Sequence, residues 1–376
     1  MKINVFGTRG FPLMQGGVEK HCECLYPLIE KSYHITVFRR KPYVRSSGEK
    51  YDAIRFIDLP STRIKGWETA YHSLLCTVYS LFQRPEIVHI HNIGPALFSP
   101  VLKLAGIKVL LTYHSANYEH KKWHFIARKI LKLSEKIALT TSDAIIFVND
   151  VQRKKFSPHI QAKSCYIPNG IQAPKFTDAT DFLQAQGIQK NKYILAVGRI
   201  TPEKGFDCLI KAFKKAAPET YQLVIAGGVE GESTYFTALQ KSVSCCSNII
   251  FTGYVFGEQL AQLYTHAALF VLPSYNEGMP LVLLEAMSYR LAILASDIPA
   301  NKAVNLPEQA YFATGDETEL AGRLGQMMCD QTPERINYQL PDNYNWQHIA
   351  RQTVEVYKAL HKADSGANMI NVYSKK

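Results

Sequence analysis

The sequence predicts an α/β fold of two Rossmann-like domains in series, and three observations lead there. Its 376 residues exceed one ordinary α/β core and suit two domains, each with its own hydrophobic centre. Short β-rich runs alternate with amphipathic stretches of about 10 to 25 residues, the pattern of a parallel sheet covered by helices. That rhythm lapses after Ile167-Pro168-Asn169-Gly170 and then starts again.

In the first half the β-rich runs are INVFG, HITVFRR, AIRFIDL, IVHIH, KVLLTYH and AIIFVN. In the second they are YILAVG, QLVIAGG, IIFTG, ALFVLPS, LAILAS and AYFAT. Between Asn169 and Lys192 the hydrophobic pattern gives way to Pro, Asp, Thr and Gln, so the expected domains are 1–175 and 176–345. The cleft between two such domains is the expected active site. Trp346, Ile349, Val354, Val356, Tyr357 and Leu360 have helical spacing. They predict a helix over 346–362 that packs back towards the first domain, followed by a polar, disordered tail at 363–376.

Charge is unevenly divided. Residues 1–175 carry 26 Lys and Arg against 12 Asp and Glu, and residues 176–376 carry 17 against 20, within a total of +11. Only the first half is built to meet something anionic, such as an anionic membrane surface or a phosphorylated acceptor. No helix-turn-helix, zinc-finger or RNA-recognition signature is present, so nucleic acid is not an expected partner. The eight cysteines are scattered, without CxxC pairs, and read as reduced and mostly buried thiols. Met1 to Gly7 is a strand and a turn rather than a signal peptide. The longest apolar run, Leu74 to Phe82, falls short of the roughly 18 to 20 residues that span a bilayer. The expected location is cytoplasmic, at most peripheral on a membrane.

The strongest chemical signal is PSYNEGMPLVLLEAMSYRLAILASDIP, from Pro273 to Pro299. Glu277 sits just before a helix and Glu285 two turns along it, about 12 Å apart if the segment is helical throughout. A glycosidase pair needs carboxylates about 5 to 9.5 Å apart, so these two are better suited to holding different parts of one long ligand, such as a sugar and a ribose bridged by diphosphate. Gly278 and Met279 would offer backbone N–H groups at the helix N-terminus.

The second signal is Gly198-Arg199-Ile200-Thr201-Pro202-Glu203-Lys204-Gly205, a loop between the strand YILAV and the helix FDCLIKAF. Arg199 can fork two phosphate oxygens and Lys204 adds a compact charge, so together they can neutralise a departing diphosphate in place of a metal. The alternative is that Pro202 and Glu203 start the helix and both cations point into water. The third signal is Gly7-Thr8-Arg9-Gly10 with Gln15-Gly16-Gly17-Val18-Glu19, whose glycines admit close backbone approach to a phosphate or an acceptor.

His89, His91 and His114 lie on or at the ends of apolar strands, where a lone histidine is usually a satisfied structural residue. No acidic or Cys partner stands at metal spacing, and the Asp-x-Asp metal clamp is absent, so no metal is expected. Lys121 to Lys136 reads as a basic amphipathic helix, with Phe125, Ile126, Ile130 and Leu133 largely opposite Arg128, Lys129, Lys132 and Lys136. It suits either anionic lipid or ordinary packing of its apolar stripe on the sheet.

Together these strings resemble the retaining glycosyltransferases of family 4, with the GT-B fold, over about residues 1 to 360. EGMPLVLLEAM with GRITPEKG upstream is the specific part. GTRGFP…GGVE, HNIGPALFSP and Lys122-Trp123 resemble a branch working on bacterial surface polysaccharides. The resemblance implies an acceptor-side first domain and a nucleotide-sugar-binding second domain. It implies that Glu277 contacts donor-sugar hydroxyls, Glu285 the ribose, and Arg199 and Lys204 the diphosphate, with His114 towards the donor sugar and Gly17 towards phosphate or acceptor. The implied donor set also takes in Gly198, Gly278, Met279, Pro280 and Leu281, and the acceptor-side set is Gly16, His91, Asn117 and Lys122. The catalytic set is Arg199, Lys204, Glu277 and His114. Three departures stand out: His114-Ser115-Ala116-Asn117-Tyr118 where relatives often read H-G-x-D-Y, Ala303 where many have Glu, and Arg290-Leu291 in place of a glycine turn.

The resulting expectation is a retaining, metal-independent hexosyltransferase. It would move a sugar from a nucleotide-diphosphate donor, with UDP favoured, to a saccharide or lipid-linked saccharide in polysaccharide biosynthesis. A nucleotide-sugar epimerase or phosphorylase can use the same architecture, and a non-catalytic sugar-nucleotide binder is a third reading. Intact Glu277, Glu285, Arg199 and Lys204 argue against the binder.

Overall fold

The computed structural model describes residues 1–362 apart from 13, 15, 30–32, 45–50, 52–53, 63–66, 116–124, 217–219, 230–233 and 329–333, and apart from the side chains of 126 and 127. The expected tail at 363–376 therefore lies outside the described residues. The chain forms two compact units. One comprises Met1–Gly170 and the chain from Asp342 onward, the other Ile171–Pro341. The division thus falls after Gly170 rather than after 175, and the chain returns to the first unit at Asp342 rather than at 346.

The first unit holds a parallel sheet of β1 (Lys2–Phe6), β2 (His34–Arg40), β3 (Ile54–Leu59), β4 (Ile87–His91), β5 (Lys108–Tyr113), β6 (Ala144–Phe147) and β7 (Ser164–Tyr166), in the order β3-β2-β1-β4-β5-β6-β7. β4 and β6 are buried at every residue; β6 is accordingly apolar throughout, whereas β4 alternates Val88 and Ile90 with two buried histidines, His89 and His91. Successive residues serve opposite faces. Leu110 and Ile146 join one core with Ile3, Leu25, Ile349 and Leu360, while Val109 and Ile145 join another with Cys76, Leu102 and Ala138. Helix α1 (Gly17–Leu25) and the C-terminal helix Trp346–Lys362 cover the first face. Helices α2 (Trp67–Gln83), α3 (Ser99–Leu104) and α4 (Phe125–Thr141) cover the second.

The C-terminal helix belongs to this core because its apolar stripe has nowhere else to go. Trp346, Ile349, Val354, Val356, Tyr357 and Leu360 are all buried, and Asn345 Oδ1 accepts the backbone N–H of Gln347 at its start. Trp346 lies flat against Gly170, where a β-carbon would come within 2.6 Å of the indole.

The second unit repeats the design with β8 (Tyr193–Val197), β9 (Gln222–Ala226), β10 (Ile249–Gly253), β11 (Leu269–Leu272), β12 (Ala292–Ser296) and β13 (Tyr311–Phe312), all parallel, in the order β10-β9-β8-β11-β12-β13. In each sheet the winding reverses beside the first strand, between β1 and β4 and between β8 and β11. Loops leaving the carboxyl ends of such a pair turn apart and open a crevice for ligand. Among the described residues no helix is long and apolar enough to cross a membrane. Of the described cysteines, Cys22, Cys24, Cys76, Cys165 and Cys208 are buried and in no disulfide, whereas Cys245 is exposed.

Leu360 is wholly buried in the first unit, so Leu360→Ala should cost about 2–5 kcal/mol. Urea unfolding should show this as a lowered midpoint with an unchanged m-value.

Candidate functional site

In the second unit the two strongest sequence signals leave the two strands that flank the reversal. The loop 198–205 follows β8 and the loop 273–280 follows β11. Pro202–Lys204 forms a single 3-10 turn rather than the start of the long helix, and Gly205 ends it with φ +66°. A β-carbon on Gly205 would stand 2.1 Å from the carbonyl oxygen of Pro273. Glycine therefore meets both the left-handed backbone and the close approach. The Tyr275 N–H donates to the Glu203 carbonyl at 2.8 Å, tying the two loops again.

This clamp brings Lys204 Nζ to 2.6 Å from Glu277 Oε1, with side-chain exposures of 15% and 9%. Ser274 Oγ donates to the same carboxylate oxygen at 2.7 Å, so neither bond engages Oε2. Ser274 is itself held from below: Ser296 Oγ donates to its carbonyl at 2.5 Å, and buried Asn301 Nδ2 donates to Ser296 Oγ at 3.0 Å. A half-buried ion pair standing on a buried hydrogen-bonded network keeps its geometry, because moving either charge leaves polar groups unsatisfied. Gly198 bonds through its N–H to Ala226, and Gly227 fits so closely that a β-carbon there would lie 1.7 Å from the Gly198 carbonyl. Arg199 is half-buried in the same loop.

One sequence expectation changes here. The helix runs only over Leu281–Ser288, with Pro280 as its N-cap, so Glu277, Gly278 and Met279 precede it and the spacing of a continuous helix does not apply. The cause is Pro280, which pushes Met279 out of the helical region and has no N–H of its own. Glu285 lies on this helix, where Tyr264 donates to its Oε2 at 2.9 Å. Burial and the neighbouring carboxylate hold the Tyr264 phenol well above its ordinary pKa, so it remains a donor. Tyr289 stacks on Tyr264 with centroids 5.1 Å apart.

In the first unit, Gly16 caps α1 and Gly17 opens it. Glu19 reaches back to accept from Thr8 Oγ1 at 3.2 Å and from the Arg9 N–H at 3.1 Å, which fixes the glycine turn after β1. Gly7 (φ +102°) meets the His91 carbonyl so closely that a β-carbon would lie 2.0 Å from it. His91 and His114 are not isolated: His91 Nδ1 and His114 Nε2 are 3.0 Å apart, and His21 lies edge-on to His114 with centroids 4.9 Å apart. The chain continues inward. Tyr26 OH is 2.6 Å from His91 Nε2 and 3.1 Å from His89 Nδ1, Tyr357 OH is 2.8 Å from His89 Nδ1, and Thr112 Oγ1 is 2.7 Å from His89 Nε2. His21 Nδ1 is 2.7 Å from Asn169 Oδ1, and its buried Nε2 has no partner among the described residues.

Burial strips these rings of charge. His21 is lowered to about 4 and His89 to about 3, His21 against an opposing hydrogen bond from Asn169 and His89 with added repulsion from His21. His91 and His114 fall well below the ordinary value through burial and then through their histidine neighbours. Nitrogens of His21, His91 and His114 lie within 4.8 Å of one another, and these are the described residues that could hold a metal. Asn117 and Lys122 lie outside the described residues. Sequence reading missed His21, Tyr26, Asn169 and Tyr357 around the histidines, and Ser274 and Tyr264 around the carboxylates. His21 alone carried a signal, on the first helical turn after the paired glycines. A cavity of about 430 Å³, lined by Lys2, Asn4, His34 and neighbours, opens at the amino edge of the first sheet, away from these groups.

The family model for Glycosyl transferases group 1 matches residues 178–341, and that for Glycosyltransferase Family 4 matches residues 15–173. An uncharacterized glycosyltransferase of Methanocaldococcus jannaschii is 28% identical over 217 residues, 54% of this chain and 55% of that protein. Spore coat protein SA of Bacillus subtilis is 23% identical, covering 95% of this chain and 99% of its own. O-antigen chain mannosyltransferase B of Escherichia coli is 26% identical over 60% of this chain and 61% of its own. The match thus spans less than two thirds of two of these relatives. Among solved structures, sucrose-phosphate synthase of Thermosynechococcus elongatus superposes with a TM-score of 0.77 at 22% identity over 96% of this chain and 99% of that one. Anabaena HepE in complex with UDP and glucose superposes with 0.70 at 17% over 97% and 99%. At these identities the likeness is one of fold.

The neutral histidines set a pH dependence. The unfolded chain takes up protons near pH 6.5, the folded cluster only near 4 or below, so stability is full above 6.5 and is lost as pH falls towards 4. The loss should reach about 1.4 kcal/mol per pH unit for each histidine. Tm followed from pH 7.5 to 4.5 should drop by many degrees, and a level Tm would contradict a neutral cluster.

Proposed function

The chain belongs to the glycosyltransferases of group 1 and has two Rossmann-like domains of the GT-B fold class, and on that premise we propose that it transfers a hexose-type sugar, with retention of configuration, from a nucleotide-diphosphate donor to a saccharide or lipid-linked saccharide acceptor. UDP is the favoured donor nucleotide, and bacterial surface polysaccharide the favoured product. The observation that carries the reading is the contact between Lys204 and Glu277 at the carboxyl ends of β8 and β11. It joins a cation suited to phosphate to a carboxylate suited to sugar hydroxyls, on loops too tightly clamped to spread them apart.

In this reading Arg199 and Lys204 bind the diphosphate, Glu277 accepts from a donor-sugar hydroxyl through the oxygen that Lys204 and Ser274 leave open, and Glu285, steadied by Tyr264, accepts from the ribose. Gly198, Gly278, Met279, Pro280 and Leu281 supply the backbone around the donor. His114, kept neutral, can donate or accept a hydrogen bond to the sugar without adding charge, and Gly16, Gly17 and His91 belong with it on the first unit. The bond from the anomeric carbon to the phosphate oxygen breaks and the acceptor oxygen bonds to that carbon on the same face. The acceptor proton passes to the departing phosphate, and the nucleoside diphosphate leaves. The two cations stabilise the charge that grows on it, so no divalent metal is required. The chain works at the cytoplasmic face of a membrane.

Arg199→Ala should lower kcat about 100- to 1,000-fold, and Glu285→Ala should weaken donor binding about 10- to 100-fold with less effect on kcat. Calorimetry with UDP, GDP and dTDP sugars, with and without EDTA, tests the premise. Binding of one of them that survives EDTA is expected, and absence of binding by all would overturn it.

A further inference from the structure

Helix α2 hides little of its apolar content. Trp67, Tyr71, Leu74, Val78 and Phe82 recur at intervals of three and four along one side of it and are 69%, 44%, 43%, 41% and 85% exposed. The neighbouring α3 presents Val101 and Leu104, and α4 presents Phe125, Ile130 and Leu133, all exposed. The sequence allowed the α4 stripe to rest on the sheet. Instead α4 packs through Ser134, Ala138 and Leu139. Ten of the sixteen large apolar side chains exposed among the described residues lie on these three helices. The helices form one layer on one face of the first sheet, with α3 between α2 and α4.

The charge beside this surface is of one sign. Arg128, Lys129, Lys132 and Lys136 of α4 are exposed, and Lys129 lies 4.3 Å over the Phe125 ring. The acids of the three helices, Glu68 and Glu135, bond to Arg40 and to the Tyr113 hydroxyl and are partly buried. We propose that the outer layer formed by α2, α3 and α4 is a docking surface for an anionic lipid bilayer. The proposal rests on the membrane part of the functional reading and gives it a place on the molecule.

Two arguments select lipid over a second copy of the chain. A twofold pairing through this face would set the cations of α4 near those of the partner copy, whereas anionic headgroups attract them. Aromatic residues at the head of α2, with Phe82 at its far end and Leu104 at the end of α3, suit insertion among headgroups and upper acyl chains.

The test is flotation of the full chain with vesicles of phosphatidylcholine alone or with roughly one-third phosphatidylglycerol, at about 0.05 M and 0.5 M NaCl. Binding is expected only with phosphatidylglycerol, weakened by salt and accompanied by a blue shift of Trp fluorescence that Trp67→Phe reduces. Lys129→Glu with Lys132→Glu should cut partitioning more than 20-fold, at about fivefold for each charge removed and more for reversal. Phe82→Ser with Leu104→Ser should cut it about tenfold or more. Melting curves check that the variants fold. Equal binding to both vesicle types, or binding untouched by either double variant, would overturn the proposal. So would a dimer in sedimentation velocity that Phe82→Ser with Leu104→Ser dissolves, since a second copy would then be the occupant. Nucleotide-sugar calorimetry on the same samples keeps the two readings apart: sugar-nucleotide binding without flotation sinks the docking surface alone, and flotation without nucleotide binding sinks the transferase alone.

Discussion

The second unit depends on a gap too narrow for a β-carbon. Gly205 passes so close to Pro273 that the loops after β8 and β11 touch backbone to backbone, and Tyr275 and Glu203 bond across the same seam, so that Lys204 and Glu277 meet at 2.6 Å. Parallel strands supply the frame for this. Their carboxyl ends all point one way, so loops from neighbouring strands meet at one edge, and the reversal of winding leaves room between two of them. The ion pair then stands on Ser274, on Ser296 at the end of β12, and on Asn301 in the turn that follows it. Such an arrangement is costly to distort, because moving either charge leaves buried polar groups unsatisfied.

The first unit solves a different problem by similar means. Five described histidines lie in its interior, four of them (His21, His89, His91 and His114) in one cluster, and burying them charged would be prohibitive. Burial keeps the four neutral, and their ring nitrogens hydrogen-bond with one another, with Tyr26 and Tyr357, and with Thr112 and Asn169. The result is a polar seam through an apolar core. It leads from the interior to His114 at the end of β5 and is closed on one side by Trp346. Its members constrain each other's ring orientations, so the outermost histidine inherits its direction from residues deep within the core.

Much of the fold was legible because its strands are buried on both faces. AIIF contains no alternation to confuse with a surface strand, IVHIH interrupts its apolar run only with His89 and His91, and each stands between helical stretches. The strand that went unread, β7, is the three residues Ser-Cys-Tyr at the sheet's edge, with too little apolar pattern to be seen. Lys204 and Glu277 could be marked by chemistry alone, but their contact crosses 73 residues and depends on the order of strands, which no local pattern encodes. The bond between His89 and Tyr357 spans 268 residues, and in sequence Tyr357 is only one more apolar position on a helix. The stripe on α4 was visible too, though a stripe does not say what covers it.

The return of the chain at Asp342 has a consequence for the order of folding. The first core lacks one wall until Trp346, Ile349, Val356, Tyr357 and Leu360 arrive, and the histidine seam lacks the hydroxyl that Tyr357 brings. A ribosome makes the seven strands of the first sheet early but delivers that wall only after the whole of the second unit. The second unit, continuous in sequence, can complete itself while the first waits, so the half of the protein that is synthesised first is the half that finishes last.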